Sequence, residues 1–335
     1  TDTKDMAKSI IKKTGFVLLL FLIVSCAKEK PPRYVIVIHG GAGAISADLP
    51  DSVKQAYISG LNEALSAGEK ILQKGGKSID AVEAAIRVME ENPLFNAGKG
   101  SVYTYEGKVS MDASIMDGQG SKAGAVAGVE DVRHPISLAR MVMDSSEYVF
   151  LSGRGASEFA RTHQLETADS TYFFTPGRWE EHLRKLREGK LGTVGCVALD
   201  QQGNLAAGTS TGGLTNKRWG RIGDTPVIGA GTYASNKSCA VSCTGVGEYF
   251  IRFVVAHSIA DMIEYKGWTL RQAANFVINE QLKRAGGEGG LIAVDRNGNI
   301  AMIYNTKGMF RAYAKSNGER WTGIFAEKIK RSAKP

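Results

Sequence analysis

The sequence predicts an α+β fold in which antiparallel sheets carry layers of helices. Strands and helices follow one another in blocks joined by hairpins, without the strict alternation of a doubly wound parallel sheet. Residues 195–207 and 290–302 repeat one pattern, a strand, an Asp-x-x-Gly-Asn turn and a second strand. Such turns join antiparallel neighbours. Of the 335 residues, 43% are hydrophobic, which is enough for a large core.

The first half begins with a continuous apolar run at residues 34–39, which is typical of a buried strand. Apolar residues at helical spacing predict a helix over 52–73, and Asp80 and Glu83 resemble a capping box that opens a helix over 81–91. Further elements follow from period-two alternation, from turn residues and from Pro135. They are strands at 102–106, 108–116, 123–129 and 148–151 and a helix at 135–143.

The second half begins after a charged stretch at 163–192, which has only a thin apolar face and is predicted to be a mobile segment. Beyond it we expect a strand at 238–244, a helix over 248–265, and a helix over 269–284 that starts at the capping box of Thr269 and Gln272.

The N-terminal region has the pattern of an export signal. A basic stretch precedes nine apolar residues at 16–24, too few to span a bilayer. The end of this run resembles a bacterial lipobox, so we expect a lipoprotein signal peptide at 1–25, lipidation of Cys26 and a tether at 26–33. The expected localisation is an exported, membrane-anchored bacterial lipoprotein on the periplasmic or outer-membrane side. The alternative is an ordinary signal peptide with an incidental cysteine.

Several kinds of chemistry are disfavoured by the residue pattern. The five histidines lack metal-ligand spacing, and the net charge of +8 forms no stripe with aromatic residues, which argues against a metal site and nucleic-acid binding. The glycines at 40–43 do not complete a phosphate loop. A carboxylate pair, Asp112 and Asp117, is conceivable for glycoside chemistry.

A serine nucleophile is a formal alternative. Residues 208–212 match G-x-S-x-G, and Ser210, Asp224 and His257 occur in the order of an α/β-hydrolase triad. A nucleophile elbow must be followed at once by a helix, however, and residues 213–220 have glycines and no apolar helical face.

Thr193 is a stronger candidate nucleophile. It lies in Gly192-Thr-Val-Gly195, between the charged stretch and an apolar strand. A threonine hydroxyl needs a base, and a free N-terminal threonine supplies one through its own amine, whose pKa is about 7.7–8.0. Cleavage before Thr193 would create that terminus, and Gly192 would permit the strained backbone that the cleavage needs. From these residues alone, a simple strand start at Thr193 remains equally acceptable.

Longer motifs point to one family. The chain resembles the plant-type L-asparaginase/isoaspartyl peptidase family of N-terminal nucleophile (Ntn) hydrolases, in order, over about residues 34–310. The motifs that carry the resemblance are His39-Gly-Gly-Ala-Gly43, Pro93-Leu-Phe-Asn-Ala-Gly98, Met111-Asp-Ala-Ser-Ile-Met-Asp-Gly118, Gly192-Thr-Val-Gly195, Thr209-Ser-Thr-Gly-Gly-Leu-Thr-Asn-Lys217, Gly220-Arg-Ile-Gly-Asp-Thr-Pro226, Gly229-Ala-Gly-Thr-Tyr-Ala234 and Ser242-Cys-Thr-Gly-Val-Gly-Glu248.

The resemblance implies a four-layer αββα sandwich with two antiparallel sheets between helical layers. One Ntn-hydrolase domain would be self-cleaved into an α chain, 34–192, and a β chain, 193–335, at the Gly192–Thr193 bond. Thr193 would be both nucleophile and base, and Thr211 would orient it. Thr244 and Gly245 would donate to the oxyanion.

The resemblance also implies a substrate site. Arg221 would bind the substrate α-carboxylate and Asp224 the α-ammonium, with Gly247 lining the pocket and Asn96 nearby. The substrates would be small molecules, L-asparagine and β-aspartyl (isoaspartyl) dipeptides, and no catalytic cofactor is expected. A dimer of αβ heterodimers is also implied. A structural sodium ion would be bound by backbone carbonyls of Met89, Glu90, Asn92, Phe95, Ala97 and Lys99.

Two further alternatives stay open. Glycosylasparaginases share the nucleophile and most of the substrate contacts, but they typically have Asp before the threonine, where this chain has Gly192. A surface lipoprotein that keeps the fold and only binds amino acids or peptides is an alternative of another class.

Overall fold

The computed structural model describes residues 31–184 and 192–326. Within them, two β-sheets face each other, and helices cover the outer face of each sheet. The strands are β1 (Val35–Gly43), β2 (Met111–Asp117), β3 (Lys122–Val129), β4 (Phe150–Ser152), β5 (Val194–Leu199), β6 (Leu205–Thr211), β7 (Thr232–Ala234), β8 (Cys239–Gly245), β9 (Gly289–Asp295), β10 (Ile300–Tyr304), β11 (Gly308–Lys315) and β12 (Arg320–Gly323). The helices are α1 (Asp51–Gln73), α2 (Ser78–Glu91), α3 (Pro135–Ser145), α4 (Gly153–Thr162), α5 (Ser170–Phe173), α6 (Pro176–Arg184), α7 (Gly247–Arg252), α8 (Val255–Lys266) and α9 (Leu270–Asn275), which continues as a π-helix over Phe276–Leu282.

The larger sheet has the order β12-β11-β1-β5-β6-β2-β3-β4, and the smaller has β10-β9-β8-β7. All neighbours are antiparallel except the short pair of β3 and β4. The repeated turn pattern predicts the two hairpins β5–β6 and β9–β10, and the structure places the first in the larger sheet and the second in the smaller.

Three apolar layers separate the four structural layers. Helices α1 and α2 pack on the larger sheet through residues such as Leu61 and Ile86. The facing sides of the two sheets bury residues such as Val197 and Ile292, and α8 packs on the smaller sheet through Ile259. The predicted αββα sandwich is therefore confirmed.

Several predicted elements differ in the structure. The hairpin expected at 102–116 is reduced to one bridge, between Tyr103 and Val109, and to β2. The capping box of Asp80 is wrong because α2 begins at Ser78, whose N–H donates to Asp200. The helix expected over 248–265 is broken, since Val254 adopts a left-handed φ of 48°.

The charged stretch expected to be mobile contains α5 and α6. Asp169 caps α5 by accepting from the N–H groups of Thr171 and Tyr172, and Phe173 and His182 are buried. Residues 185–191, the rest of that stretch, lie outside the described residues, as do the proposed signal peptide at 1–25 and Cys26. Within residues 31–184 and 192–326, no helix is long and apolar enough to cross a membrane.

Candidate active site

Thr193 lies immediately before β5 and is 7% exposed. Its hydroxyl donates to Thr211 Oγ1 at 3.3 Å, from the neighbouring strand β6. Gly195, two residues further on, faces His39 and Ser242, and a Cβ there would clash with both side chains. Glycine at 195 thus lets the start of β5 lie directly against the buried imidazole.

The carbonyl of Gly192, on the acyl side of the proposed cleavage, accepts two side-chain hydrogen bonds. Thr211 Oγ1 donates at 2.9 Å and Asn96 Nδ2 at 2.8 Å. Asn96 is fixed in turn, because its amide also donates to Gly213 O and its Oδ1 accepts from Val102 N. Two fixed donors on one carbonyl stabilise negative charge on that oxygen when the carbonyl is attacked.

Gly192 lies in close contact with Asn96. A Cβ at Gly192 would lie 2.9 Å from Asn96 Cβ, closer than real contacts allow. The residue must be small because Asn96 packs against it while binding its carbonyl.

Arg221 and Asp224 lie in the same cavity as Thr193, as the sequence prediction requires. Arg221 is held by Glu248, with Nε to Oε1 at 2.9 Å and a second bond from Nη2 to Oε2 at 3.1 Å. Asp224 is buried, and its Oδ2 has no hydrogen-bond partner among the described residues. Burial raises the pKa of Asp224 to about 6, although the charge of Arg221 opposes the shift.

Gly247 lies against both charged residues. A Cβ there would be 2.9 Å from Arg221 Nη2 and 2.9 Å from Asp224 Oδ1. Any side chain would therefore occupy the space between the guanidinium and the carboxylate. The cavity holds only about 10 Å³, room for one water, while Gly192 remains joined to Thr193.

Thr244 and Gly245 end β8, in the smaller sheet, whereas Thr211 ends β6, in the larger sheet. Gly245 lines the cavity with Thr193. Thr244 is fully buried, and its hydroxyl oxygen accepts from Ala42 N at 3.2 Å, which leaves its own proton free to donate.

Lys217 and Asp112 form a buried ion pair beside the site, which the sequence pattern did not predict. Lys217 Nζ lies 3.6 Å from Asp112 Oδ2 and donates to Ser110 O at 2.7 Å. Asp112 is the register partner of Thr211, and the Lys217 side chain packs on Gly213, whose N–H donates to Thr211 Oγ1. Burial raises the pKa of Asp112 and lowers that of Lys217. Because Asp112 is paired in this way, the structure gives no support to a glycosidase role with Asp117.

His39 was also not identified as a site residue, and only its place before the glycines signals it. Its Nε2 lies 3.0 Å from Ser242 Oγ, and burial lowers its pKa to about 3, so the imidazole is neutral.

The alternative serine triad is not assembled. Ser210 is fully buried and donates to Glu90 Oε1 at 2.6 Å. His257 is partly exposed and pairs with Asp261 at 3.1 Å. Ser210 and His257 therefore each have other partners, and the α/β-hydrolase interpretation is wrong.

The loop after α2, residues 92–100, contains glycines that pack closely on backbone carbonyl oxygens. Gly98 and Gly100 pack on the carbonyl oxygens of Glu90 and Phe95, and a Cβ at either glycine would fill that space. Within the part of the chain that the structure describes, no three His, Cys, Asp or Glu side chains are grouped for metal binding. A cation in this loop would thus depend on backbone oxygens, which fit a hard ion.

Comparisons with known proteins agree with this geometry. The family model described as asparaginase matches residues 32–190 and 179–324. An isoaspartyl peptidase of Salmonella typhimurium is 47% identical over 88% of this chain and 99% of its own length. An isoaspartyl peptidase of Escherichia coli is 47% identical over 88% and 97%, and a plant-type L-asparaginase of Pyrococcus horikoshii is 43% identical over 85% and 97%.

These comparisons contradict the expected localisation. The bacterial and archaeal relatives match over nearly their whole lengths, and their names describe peptidases and asparaginases, with no indication of a lipoprotein. The prediction of an exported, membrane-anchored bacterial lipoprotein is therefore wrong. The alternative of a lipoprotein that only binds amino acids or peptides loses its support with it.

Proposed function

This chain belongs to the asparaginase family of Ntn hydrolases, and we propose that it hydrolyses the β-amide of L-asparagine and of β-aspartyl dipeptides. One observation carries the proposal: Thr193 shares a cavity with Arg221 and Asp224, a cation and an anion suited to the two α-groups of an aspartyl residue. The names of the relatives, isoaspartyl peptidase and plant-type L-asparaginase, support the same substrates.

Self-cleavage prepares the nucleophile. Thr193 Oγ attacks the carbonyl carbon of Gly192, and the donors Thr211 and Asn96 stabilise the oxyanion. The peptide nitrogen takes the hydroxyl proton as the C–N bond breaks, and water then hydrolyses the ester. One domain now consists of an α chain, 34–192, and a β chain, 193–335.

Turnover uses the amine that cleavage releases. The Thr193 amine removes the hydroxyl proton, Oγ attacks the β-carbonyl, and the proton passes to the leaving nitrogen as the C–N bond breaks. Thr244 Oγ1 and Gly245 N–H donate to the oxyanion, an interaction worth about 3–4 kcal/mol per donor in comparable sites. Water hydrolyses the acyl-enzyme ester and releases aspartate. Arg221 and Asp224 hold the α-carboxylate and α-ammonium, and Gly247 leaves room for both.

Two features of assembly belong to the same proposal. A structural sodium ion would be held by backbone carbonyls of the loop, a role supported by the packing of Gly98 and Gly100 on carbonyl oxygens of Glu90 and Phe95. The carbonyls are those of Met89, Glu90, Asn92, Phe95, Ala97 and Lys99. The αβ unit forms a dimer, and no cofactor takes part in the chemistry.

The experiment measures aspartate released from L-asparagine, a β-aspartyl dipeptide and glycosylated asparagine. Wild type is expected to hydrolyse the first two, and Thr193→Ala to lose about 10⁴-fold or more of that activity because the nucleophile is gone. Ser210→Ala, which tests the rival serine, should retain turnover. Wild-type turnover by Thr193→Ala would place the nucleophile elsewhere, and a preference for glycosylated asparagine would favour a glycosylasparaginase.

A further inference from the structure

A row of fully buried polar side chains lies between the two sheets, next to the site. The larger sheet contributes in-register residues of β1, β6 and β2, and the smaller sheet contributes a register pair of β7 and β8. We call these five residues the polar row: His39, Thr209, Ser114, Thr232 and Ser242. Gly195 lies in register between His39 and Thr209, and its missing side chain leaves room for the row. Thr209 and Ser242 come two residues before Thr211 and Thr244, so each pair shares one face of its strand.

Five short contacts join the polar row to a backbone carbonyl. They connect, in order, His39 Nε2 with Ser242 Oγ at 3.0 Å, Ser242 Oγ with Thr209 Oγ1 at 2.7 Å, Thr209 Oγ1 with Thr232 Oγ1 at 2.6 Å, Thr232 Oγ1 with Ser114 Oγ at 2.8 Å, and Ser114 Oγ with Thr225 O at 2.6 Å. The row therefore begins at an imidazole and ends at the residue that follows Asp224.

The direction of each hydrogen bond follows from the number of protons available. Five contacts need five protons, and the four hydroxyl groups supply four. The fifth comes from Nε2 of the neutral His39, whose Nδ1 has no hydrogen-bond partner among the described residues. A longer contact, 3.3 Å from Thr209 Oγ1 to Gly231 O, has no proton in this arrangement. Every hydroxyl then donates in the same direction, and Ser114 donates to the Thr225 carbonyl, which can only accept.

The backbone at the end of the polar row carries the Asp224 carboxylate. Gly231 packs on this backbone, since a Cβ there would lie 2.5 Å from Asp224 O and 3.0 Å from Thr225 Cα. The hydrogen bond from Ser114 holds the same peptide through the Thr225 carbonyl. Because Asp224 Oδ2 has no hydrogen-bond partner among the described residues, the position of the carboxylate depends on the backbone that Ser114 and Gly231 hold.

We propose that Ser114 is a positioning residue for recognition of the substrate α-ammonium and that it acts through Thr225 on Asp224. The inference rests on the proposed function, in which Asp224 binds that ammonium. The rest of the polar row, from His39 to Thr232, directs the Ser114 proton to the Thr225 carbonyl. Loss of the Ser114 hydroxyl therefore weakens the binding of ligands that have an α-ammonium and spares ligands that lack one.

The test compares the dissociation constants of L-aspartate and succinate, which differ by the α-ammonium, measured by calorimetry on the self-cleaved enzyme. Wild type should bind aspartate about tenfold or more tightly than succinate, because the ammonium pairs with a buried carboxylate. In Ser114→Ala the affinity for aspartate should fall about fivefold and that for succinate should stay, so the ratio falls. Ser157→Ala is the matched control and should keep the ratio, since it removes another buried hydroxyl, one that donates to Asp131 in the helix layer.

An unchanged ratio in Ser114→Ala, or an equal loss of affinity for both ligands, would overturn the positioning role while wild-type turnover of asparagine leaves the proposed function intact. No hydrolysis of asparagine or of β-aspartyl dipeptides by wild type would overturn the proposed function and the positioning role together.

A second measurement needs no variant. The ¹⁵N chemical shifts of the His39 ring in the wild-type protein should show a proton on Nε2 and none on Nδ1. A proton on Nδ1 would leave the polar row one proton short and deprive the Thr225 carbonyl of its donor, which would overturn the proposal.

Discussion

Asp224 carries a charge that the folded protein tolerates only at a cost. Its carboxylate is fully buried, one oxygen has no partner among the described residues, and burial raises its pKa from 3.8 to about 6. The ammonium group of a substrate would supply the missing partner. The negative charge of Asp224, which is unfavourable in the free site, would then be stabilised in the complex. A buried carboxylate with a raised pKa is typical of residues in binding and active sites.

The unfavourable burial of the ionised Asp224 carboxylate predicts that the stability of the fold depends on pH. Because the folded pKa of Asp224 lies above the unfolded one, its ionisation destabilises the fold above pH 6, by about 3 kcal/mol, and has no effect below about pH 4. Asp224→Asn should therefore raise the melting temperature at pH 8 and not at pH 4. The measurement uses Thr193→Ala as the parent, so that the chain stays whole. A lower melting temperature of Asp224→Asn at pH 8 would show that the carboxylate has a stabilising partner.

The sequence predicted the types and approximate roles of these residues but not their partners. The motif around Arg221 and Asp224 suggested a pair that binds two opposite charges, and the structure places both in the cavity of Thr193. Glu248 on Arg221 and Lys217 on Asp112 were not predicted, because each pairing depends on which loops meet in space.

At the scale of elements, the break between α7 and α8 departs most clearly from the sequence pattern. Apolar periodicity continues through residues 248–265, yet Val254 has a φ of 48° and is 45% exposed. Periodicity records which side chains are buried and does not reveal a single reversed backbone torsion. A left-handed conformation is unfavourable for a β-branched residue and costs about 1–3 kcal/mol.

Relief of this strain should be measurable. Asn tolerates the left-handed region, so Val254→Asn should stabilise the Thr193→Ala parent by about 1 kcal/mol and raise its melting temperature. Val149→Asn is the control, because Val149 is similarly exposed and has no positive φ. An equal gain in both variants, or a loss in Val254→Asn, would show that the torsion is not strained.

The two hairpins show what local sequence does predict. Their turn residues predicted the antiparallel pairing of β5 with β6 and of β9 with β10, which the structure shows. The turns could not show that one hairpin belongs to each sheet, because sheet membership depends on pairing with distant strands such as β1 and β8.

At the scale of the whole molecule, the site forms where the two sheets meet. The larger sheet contributes Thr211, and Thr193 immediately precedes its strand β5; the smaller sheet contributes Thr244 and Gly245. Cleavage before Thr193 would leave the strands of the described residues intact, because the Gly192–Thr193 bond precedes β5, which begins at Val194. The fold can therefore survive as two chains held by one set of sheets.

The central claim is that the chain cuts itself between Gly192 and Thr193. Mass spectrometry of the denatured, purified protein tests it most directly, with Thr193→Ala purified in parallel. We expect two chains in wild type, the smaller beginning at Thr193, and one uncut chain in Thr193→Ala. An active wild-type protein that remains a single chain, or a cut at another bond, would contradict it.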